Sequence, residues 1–266
     1  MYFERKKTNL KVAIFAGGLG SRLSSETDII PKSLVEIGSK PILWHIMKIY
    51  SYYGFNDFVL MLGYKGNMIK EYFQNYFLEN YDTEFNLVDN SIKYFCKNKE
   101  EYKITCVSIE ENDQTGGALL RIRDHINNER FMLAYSDTLA DININELLKF
   151  HYNNSQKLCT MTSVIPEGKY GVVDFDENNI AKSFVEKPKI GKDWINAGFF
   201  VCEPEIFNYI NDHQKPWESS PLENLAKDKQ LKIYQHTGFY KCMDTLKDKK
   251  ILEQLVKENK ANWIKW

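Results

Sequence analysis

The sequence of 266 residues has no long apolar run and no excess of charge of either sign. A membrane-spanning helix needs about 20 consecutive apolar residues. The segment 1–10 is polar and basic, so we expect neither a span nor a secretion signal. The 35 basic and 36 acidic side chains nearly cancel, which argues against a nucleic-acid partner. We therefore predict a cytoplasmic protein that binds neither nucleic acid nor a membrane, with room for a local cationic pocket.

Cysteine and histidine also lack the spacing of known reactive sites. None of the five cysteines forms a Cys-x-x-Cys pair, which zinc and redox frameworks require, and disulfide frameworks belong to small secreted chains. Cys106, Cys159 and Cys202 lie in apolar runs, so we interpret them as small buried hydrophobic residues. No His-Glu-x-x-His or Ser/His/Asp arrangement is present, so we assign no nucleophile and no histidine base.

Short apolar runs alternate with helical patterns through the first half of the chain. Strands alternating with helices of this length form parallel βαβ units, so we predict an α/β fold with a Rossmann-like, doubly wound mixed sheet. Ligands of such sheets bind at the carboxyl ends of the strands. The predicted buried strands are 12–16, 58–62, 104–107 and 131–135, and the predicted helices start at Pro41 and cover 67–77 and 118–126.

Strands follow one another more closely in the second half and predict a smaller antiparallel lobe that covers the ligand edge of the sheet. We expect a single folded unit, with the first part at about 11–157, the lobe at about 158–245 and a C-terminal helix in 246–266. The polar and aromatic stretch 81–102 interrupts the pattern, and we interpret it as an inserted hairpin or an oligomer contact. The predicted strands of the lobe are 158–164, 171–176, 180–186, 198–202 and a pair around Ile233 and Tyr240.

A glycine-rich segment directly follows the first predicted strand. Gly17, Gly18 and Gly20 let the backbone turn tightly and present N–H groups to a ligand. The segment lacks both the Gly-Lys-Ser/Thr of a Walker A loop and the last glycine of a dinucleotide fingerprint. Arg22 can bind phosphate oxygens in a bidentate manner, and Lys32 adds a compact charge. We therefore predict a phosphate-binding site here in preference to a purely structural turn.

Two aspartates are candidates for a metal site. Asp137 follows the apolar run 131–135, so it lies at the predicted ligand edge. A lone aspartate after a strand is usually a cap or a turn former, and Asp244 could equally be the N-cap of the last helix. Together with phosphate oxygens and water, however, two carboxylates suit Mg²⁺. Glu186 and Lys187 end a predicted strand, and they face either a ligand or solvent.

These motifs, in this order, resemble the sugar nucleotidyltransferase family and, more narrowly, its glucose-1-phosphate cytidylyltransferases. The similarity runs from Lys11 to Trp266. The run Pro-Ile-Leu-Trp-His-Ile-Met is typical of the cytidylyl branch, whereas the glycine-rich loop identifies only the wider family. Segments that carry the resemblance include 16–24 (AGGLGSRLS), 41–47 (PILWHIM), 115–117 (TGG), 186–189 (EKPK) and 243–245 (MDT).

The resemblance implies an oligomeric, Mg²⁺-dependent enzyme that joins CTP to a sugar 1-phosphate, with glucose 1-phosphate the first choice, and releases pyrophosphate. It also implies that the part at about 11–157 binds the nucleotide, with Thr115 and Gly116 against the base, and that the lobe at about 158–245 binds the acceptor. Because cytosine presents an amine where uracil presents a carbonyl, we expect backbone carbonyls near 115–117 to distinguish the two bases. The implied nucleotide-binding residues are Gly17, Gly18, Gly20, Ser21, Arg22, Thr115 and Gly116, with Arg22 and Lys32 catalytic and Asp137 and Asp244 binding the metal. The implied acceptor-binding residues are Tyr170, Gly171, Glu186, Lys187 and Asn196.

Departures from the family's pattern leave the acceptor open. Ser136 and Thr138 stand where glycines are usual. Ala118 stands where the cytidylyl branch usually carries arginine, so a cation near the substrates is missing. Ala197 replaces a glycine, and its methyl group is expected to narrow the acceptor pocket. The same transfer to a non-sugar acceptor, such as phosphoglutamine in a capsule phosphoramidate pathway, is therefore an alternative.

A second alternative is a non-catalytic, nucleotide-sensing relative that uses the same fold. Such a protein would be expected to lose Lys32, Asp137 or Asp244, and all three are present. The release of pyrophosphate from a panel of nucleotides and phosphorylated acceptors would separate these hypotheses.

Overall fold

The computed structural model describes residues 10–18, 29–97, 99–153, 157–166, 172–175, 177, 181–185 and 193–266. The longer strands are β1 (Lys11–Phe15), β4 (Asp57–Leu62), β7 (Lys103–Ser108), β8 (Phe131–Tyr135), β10 (Cys159–Val164), β13 (Ile195–Cys202) and β14 (Leu231–Gln235). The others are β2 (Glu36–Ile37), β3 (Lys40–Pro41), β5 (Asp82–Asn86), β6 (Ser91–Phe95), β9 (Thr138–Ala140), β11 (Val172–Phe175), β12 (Ala181–Val185) and β15 (Tyr240–Cys242).

The α-helices of the described residues are interspersed with these strands. They are α1 (Ile42–Tyr52), α2 (Gly66–Gln74), α3 (Tyr76–Asn80), α4 (Thr115–Arg121), α5 (Ile144–Asn153), α6 (Ser220–Lys227) and α7 (Leu246–Lys257). Short 3₁₀ turns lie at Lys32–Leu34, Arg123–Ile126 and Pro204–Tyr209. Across this described part of the chain, no helix is both long and apolar enough to cross a membrane.

A seven-stranded sheet, counted over the described residues, organises the fold. Its order is β14-β10-β13-β8-β1-β4-β7. β13 runs antiparallel to both of its neighbours, and the remaining pairs are parallel. The predicted mixed α/β fold is therefore confirmed.

Burial on both faces explains why the central strands are continuous apolar runs. Val12 and Ile14 of β1 pack into the core on one face of the sheet, and Ala13 packs into the core on the other. Helix α1 covers the first face, and it starts directly after Pro41, as predicted, with Ile42 and Ile46 fully buried. A strand that is buried on both faces cannot alternate apolar and polar residues, so its sequence reads as one short apolar block.

Three strands that were predicted in the antiparallel lobe belong to the central sheet instead. β10 and β13 pair with each other, and β13 continues the sheet from β8. The strands around Ile233 and Tyr240 do not pair with each other, since β14 pairs with β10 and β15 pairs with β9. This part of the prediction is wrong because apolar runs indicate burial and do not specify which sheet buries them. β11 and β12 form a separate antiparallel pair.

The stretch 81–102 contains a hairpin, which confirms the first of its two interpretations. β5 and β6 pair in antiparallel register, and Phe85 lies opposite Ile92. The base of the hairpin is held by ring contacts of Phe77 with Tyr81 and Tyr94, whose centroids are 5.7 and 5.4 Å away. Toward the tip, Phe85 is 58% exposed and Ile92 is 48% exposed. The hairpin therefore presents an apolar face to solvent.

The C-terminal segment contacts α1 through a hydrogen bond between Trp263 and His45. The imidazole Nε2 donates to the carbonyl of Ile37 at 2.8 Å, and Nδ1 accepts from Nε1 of Trp263 at 3.3 Å. Burial is the main cause that lowers the pKa of His45 to about 4, against an opposing effect of the Ile37 hydrogen bond. His45 is therefore a neutral structural residue, in agreement with the absence of an assigned histidine base.

The cysteine interpretation is confirmed at two of its three positions. Cys159 and Cys202 are buried opposite each other in β10 and β13. Cys106 is half-buried, and burial raises the pKa of its thiol. Cys159 and Cys202 are therefore packing residues, whereas Cys106 is only partly buried.

Candidate active site

The turn between β8 and β9 places Asp137 at the carboxyl edge of the central sheet. β9 pairs with β15 in antiparallel register, with Thr138 opposite Cys242. The pairing continues past the strand ends, because the backbone N–H of Met243 donates to the carbonyl of Asp137 at 2.8 Å. This register brings Asp244 beside Asp137, although 107 positions separate them in the chain.

Lys32 completes a charged cluster, a name used below for Lys32, Asp137 and Asp244. Its ammonium lies 2.8 Å from Oδ2 of Asp137 and 2.9 Å from Oδ1 of Asp244. The lysine side chain is 11% exposed, whereas those of Asp137 and Asp244 are 27% and 41% exposed. Burial by itself would lower the pKa of Lys32, but the charge of Asp137 and the hydrogen bonds to both carboxylates raise it. The ammonium therefore stays charged.

The residues around the charged cluster fix its geometry. Lys32 belongs to a 3₁₀ turn that follows Pro31. The next residue, Ser33, is buried and donates from its hydroxyl to that of Ser136 at 2.8 Å. Thr138 donates to Oδ1 of Asp137 at 3.0 Å. Ser136 and Thr138, which replace the family's usual glycines, thus supply hydrogen bonds that hold the turn around Asp137.

The donor atoms at this edge fit a hard divalent cation. Ligand atoms of Asp137, Cys242 and Asp244 lie within 4.8 Å of one another, so the two aspartates that were predicted to share a metal site lie close together. Burial, followed by the neighbouring carboxylates, raises the pKa of Cys242. A protonated thiol is a poor ligand, which leaves two carboxylates, a set that suits Mg²⁺. That Mg²⁺ binds here stays a prediction.

The described part of the glycine-rich segment contacts the end of β4. A Cβ added to Gly17 would lie 2.8 Å from the backbone nitrogen of Gly63. The N–H of Tyr64 donates to the carbonyl of Gly17 at 3.4 Å. Among the described residues, no atom lies within 4 Å of a Cβ added to Gly18. Three further predicted site residues, Gly20, Ser21 and Arg22, lie outside the described residues.

Thr115 and Gly116 begin α4, where the segment 213–218 packs against them. Gly116 donates to the carbonyl of Lys215 at 3.1 Å, and a Cβ on Gly116 would lie 2.5 Å from that oxygen. The hydroxyl of Thr115 donates to Oε2 of Glu218 at 2.6 Å and accepts from the backbone N–H of Trp217 at 2.8 Å. Glycine at 116 is therefore required for close backbone packing, and the predicted nucleotide contacts of both residues stay predictions.

Asn196 lies at the start of β13, and its side chain has partners at both ends. Its Oδ1 accepts from the N–H of Gly198 at 2.8 Å, and its Nδ2 donates to the phenol of Tyr135 at 3.0 Å. That phenol in turn donates to Oε1 of Glu218. The other residues predicted to bind the acceptor lie outside the described residues; they are Tyr170, Gly171, Glu186 and Lys187.

Thr115, Tyr135, Asn196 and Glu218 thus form one chain of side-chain hydrogen bonds, called the hydroxyl network below. Sequence reasoning identified Thr115 and Asn196 but missed Tyr135 and Glu218. Tyr135 carried a usable signal, since it ends the strand that leads into Asp137. Glu218 carried none, because it lies between a 3₁₀ turn and a short helix with no periodic pattern around it.

Ala118 and Ala197, the two alanines that depart from the family's pattern, lie in the hydrophobic cores. Ala118 is 2% exposed and Ala197 is 1% exposed. Each packs among apolar side chains on one face of the central sheet. Ala197 therefore contributes to the core, and its expected effect on the acceptor pocket stays a prediction. An arginine at position 118 would start in the same apolar surroundings.

Comparison with known families settles the class of this protein. A model of the nucleotidyl transferase family matches residues 11–248, which is most of the sequence. The chain belongs to the nucleotidyl transferase family. A glucose-1-phosphate cytidylyltransferase of Salmonella typhi is 43% identical over 258 residues, covering 97% of this chain and 100% of that protein. A probable glucose-1-phosphate cytidylyltransferase of Bacillus subtilis is 38% identical with the same coverage. The resemblance inferred from the motifs is confirmed.

Solved structures support the same fold at lower identity. A putative glucose-1-phosphate thymidylyltransferase of Bacillus anthracis has a TM-score of 0.68 at 19% identity, with 97% of each chain covered. HddC of Yersinia pseudotuberculosis has a TM-score of 0.66 at 22% identity, with 93% of this chain and 99% of that chain covered. Both likenesses concern the fold, and they agree with the central mixed sheet described above.

Proposed function

We propose that this protein is a cytidylyltransferase that joins CTP to glucose 1-phosphate, giving CDP-glucose and pyrophosphate. The observation that carries the proposal is the charged cluster, which places a cation and two carboxylates at the ligand edge of the sheet. The choice of substrates is supported by the relatives named glucose-1-phosphate cytidylyltransferase, one of which is 43% identical over 97% of this chain.

The proposed reaction is a direct displacement at phosphorus. A phosphate oxygen of the acceptor attacks the α-phosphorus of CTP, and the bond from that phosphorus to the oxygen bridging to the β-phosphate breaks. The electron pair of the broken bond leaves with pyrophosphate. Because the attacking oxygen already carries negative charge, no general base is needed, and positioning with charge neutralisation provides the rate.

Lys32 is well placed to neutralise the α-phosphate. Its side chain is 11% exposed, and its ammonium is shared between two carboxylates. Phosphate oxygens offer the same kind of charged acceptor, so the ammonium can exchange a carboxylate for a phosphate oxygen as the substrate binds. The loss of one such contact in a transition state commonly costs about a hundredfold in rate. The matching role of Arg22 on the pyrophosphate stays a prediction.

Asp137 and Asp244 are proposed to bind Mg²⁺. Mg²⁺ usually takes one or two carboxylates from a protein and completes its shell with phosphate oxygens and water. When bound, it would offset the negative charge of the triphosphate and of the leaving pyrophosphate. Chelation with EDTA is expected to abolish pyrophosphate release, and added MgCl₂ is expected to restore it. Undiminished turnover in EDTA would contradict the role of a metal.

A substrate panel tests the proposed function. The release of pyrophosphate would be measured with CTP, UTP, dTTP and ATP, each combined with glucose 1-phosphate, and with CTP combined with other sugar phosphates and phosphoglutamine. We expect kcat/KM for CTP with glucose 1-phosphate to exceed every other pair by about tenfold or more. Equal rates with CTP and UTP would contradict the choice of base. A preference for phosphoglutamine over glucose 1-phosphate would identify phosphoglutamine as the acceptor. The absence of pyrophosphate release with every pair would contradict the enzymatic function.

We also propose that the protein forms a homo-oligomer through the hairpin β5–β6. Phe85 and Ile92 share one exposed face of this two-stranded element, and an isolated hairpin is marginally stable in water. Light scattering is expected to show dissociation when Phe85→Ser is combined with Ile92→Thr. Glu84 and Lys93, which oppose each other one position away, provide the matched control, since Glu84→Ser with Lys93→Thr should leave the assembly intact.

A further inference from the structure

The carboxylate of Glu218 joins two segments on which the proposed reaction depends. The hydroxyl of Thr115, at the start of α4, donates to Oε2 of Glu218 at 2.6 Å. The phenol of Tyr135, at the end of β8, donates to Oε1 of the same carboxylate. These partners lie 103 and 83 positions away in the chain, so a single side chain sets the distance between two otherwise separate elements.

The hydrogen bonds continue from Tyr135 into β13. The phenol accepts from Nδ2 of Asn196 at 3.0 Å, and Oδ1 of Asn196 accepts from the N–H of Gly198 at 2.8 Å. A phenol and an amide have few donor and acceptor sites, so these contacts fix the orientation of both groups. A continuous path therefore runs from Asn196, on the predicted acceptor side, to Thr115, on the predicted nucleotide side.

Packing prevents the ring of Tyr135 from moving independently of this path. The ring lies against Phe15 and Phe200, with centroids 5.7 and 5.9 Å away. Gly198 has a φ of +76°, and a Cβ there would lie 2.8 Å from Cδ2 of Tyr135. Close-packed groups of this kind transmit displacements and do not absorb them. A movement at Asn196 or Thr115 should therefore reach the other end through Glu218.

The backbone beside Glu218 is anchored, although the glutamate itself is exposed. Trp217 is fully buried and packs edge-on against Phe200, with ring centroids 6.2 Å apart. The N–H of Trp217 also donates to the hydroxyl of Thr115 at 2.8 Å. Glu218 is therefore presented to its two donors from a fixed position.

We propose that Glu218 is a positioning residue that orients Thr115 on the nucleotide side and Tyr135 with Asn196 on the acceptor side, and so couples the two substrate sites. The inference rests on the proposed function, which assigns the two substrates to these two sides. Coupling between sites is reciprocal in binding free energy. If the path carries this coupling, a substitution at one end is expected to change the affinity for the substrate at the other end as well.

The first test is Glu218→Gln, with steady-state kinetics for CTP and glucose 1-phosphate. Glutamine keeps the side-chain length, but its NH₂ group would face the hydroxyl of Thr115 or of Tyr135 and cannot accept a hydrogen bond from it. We expect the KM values for both substrates to rise about tenfold each, with kcat changed less than about threefold. A purely structural role would lower the melting temperature and the active fraction, so kcat would fall while both KM values stayed the same. That result would overturn the proposal.

Thr115 supplies the decisive test of coupling. Thr115→Val keeps the shape of the side chain and removes its hydroxyl, whereas Thr115→Ser keeps the hydroxyl. We expect Thr115→Val to raise the KM for glucose 1-phosphate about fivefold as well as that for CTP, and Thr115→Ser to restore both. A rise confined to CTP would show that the two sites are independent, and it would overturn the coupling.

A matched control is available at another tyrosine. Tyr209 donates from its phenol to Oδ2 of Asp228 at 3.1 Å, outside the charged cluster and the hydroxyl network. Tyr209→Phe should leave both KM values unchanged, whereas Tyr135→Phe should raise both. If Glu218→Gln does not fold, Tyr135→Phe and Thr115→Val carry the same test, since each alters a single hydroxyl.

The failure of this inference is distinguishable from failure of the proposed function. If the unmodified protein releases pyrophosphate from CTP and glucose 1-phosphate, but the variants keep both KM values, only the positioning role is overturned. If the unmodified protein releases pyrophosphate from no pair of substrates, the proposed function fails, and the inference fails with it.

Discussion

The charged cluster and the hydroxyl network flank the same turn at the end of β8, yet they are built differently. The charged cluster holds full charges on side chains that reach solvent, with Asp244 41% exposed. The hydroxyl network holds uncharged groups around one carboxylate, and the ring of Tyr135 is packed between Phe15 and Phe200. The geometry of the charged cluster depends on electrostatic attraction, whereas that of the hydroxyl network depends on the packing of the Tyr135 ring.

This difference indicates which region can exchange partners during a reaction. The ammonium of Lys32 can exchange a carboxylate for a phosphate oxygen with little rearrangement, because both are anionic acceptors of the same kind. The hydroxyl network cannot reorganise without displacing packed rings. We therefore expect substitutions in the charged cluster to change the rate, and substitutions around the hydroxyl network to change stability and KM.

The largest effect is expected for Asp137→Asn, which removes one charge from the charged cluster and keeps the shape of the side chain. We expect kcat to fall by a hundredfold or more, roughly 3 kcal/mol of transition-state stabilisation. The fold should survive, since the side chain is 27% exposed at the edge of the sheet. Pyrophosphate release and circular dichroism would measure the two properties.

Asp212 is the matched control for this substitution. It forms an exposed pair with Lys215, 3.9 Å apart and three positions along the chain. Asp212→Asn removes a carboxylate in the same way but should leave kcat within about twofold, because exposed pairs contribute little. Equal losses of activity in both variants would remove the distinction between the charged cluster and any other surface charge.

Gly198→Ala should show the second largest effect, on stability. Gly198 has a φ of +76°, and a Cβ there would lie 2.8 Å from the ring of Tyr135. Gly54 has a φ of +86°, but no atom of the described residues lies within 4 Å of a Cβ added there. Both substitutions carry the backbone cost of about 1–2 kcal/mol, and only Gly198→Ala adds a packing cost of roughly 1–3 kcal/mol.

Chemical denaturation of the two glycine variants measures this difference. We expect Gly198→Ala to lose the larger part of the free energy of unfolding and Gly54→Ala the smaller part. Similar losses in the two variants would show that the Tyr135 ring yields to the added methyl group. In that case the hydroxyl network would not be fixed by shape.

The same contrast explains how much of the site the sequence could predict. The carboxyl ends of neighbouring parallel strands meet at one edge, so a charged residue directly after an apolar run can be placed there without a structure. Asp137 was placed in this way, and Asp244 was added as its partner carboxylate. Lys32 was predicted separately, as a phosphate-binding cation that follows the glycine-rich segment. The position of a charged residue at the end of a buried strand can therefore be predicted from the sequence.

Glu218 and the placement of β13 could not be predicted, for physical reasons. The donors to Glu218 lie 83 and 103 positions away, and a solvent-exposed glutamate in a loop has no local pattern that indicates them. β13 is apolar and buried on both faces whether it joins a lobe or the central sheet. Local patterns determine which residues are buried, whereas pairing between distant strands determines where they lie.

Lys32→Met tests the charged cluster through its affinity for Mg²⁺, where we expect a smaller effect. In the present structure the ammonium occupies the same two carboxylates that are proposed to bind Mg²⁺. Its removal leaves two like charges close together, which favours a divalent cation. We expect Lys32→Met to bind Mg²⁺ about tenfold more tightly in the absence of nucleotide, although its turnover falls. Titration calorimetry with MgCl₂ measures the affinity, and an unchanged or weaker affinity would contradict the shared site.

The smallest effect is expected for Thr245→Ala, which adjoins the charged cluster at the start of α7. Thr245 and Asp248 form a reciprocal cap: the threonine hydroxyl accepts from the N–H of Asp248 at 3.2 Å, and the carboxylate of Asp248 accepts from the N–H of Thr245 at 3.0 Å. The loss of the hydroxyl should cost about 1 kcal/mol of stability. Because Asp244 immediately precedes this cap, its carboxylate should also be held less firmly, and kcat should fall by about threefold.

Asn143 separates these two consequences. Its Oδ1 accepts from the N–H groups of Asn145 and Glu146 at 3.1 and 3.2 Å at the start of α5, a helix that contributes no residue to the charged cluster. Asn143→Ala should therefore lose a similar free energy of unfolding, about 1 kcal/mol, with kcat unchanged. Parallel losses of kcat in both variants would mean that activity follows global stability. A loss confined to Thr245→Ala would show that the cap of α7 positions Asp244, and that even the charged cluster depends on a neutral hydroxyl next to it.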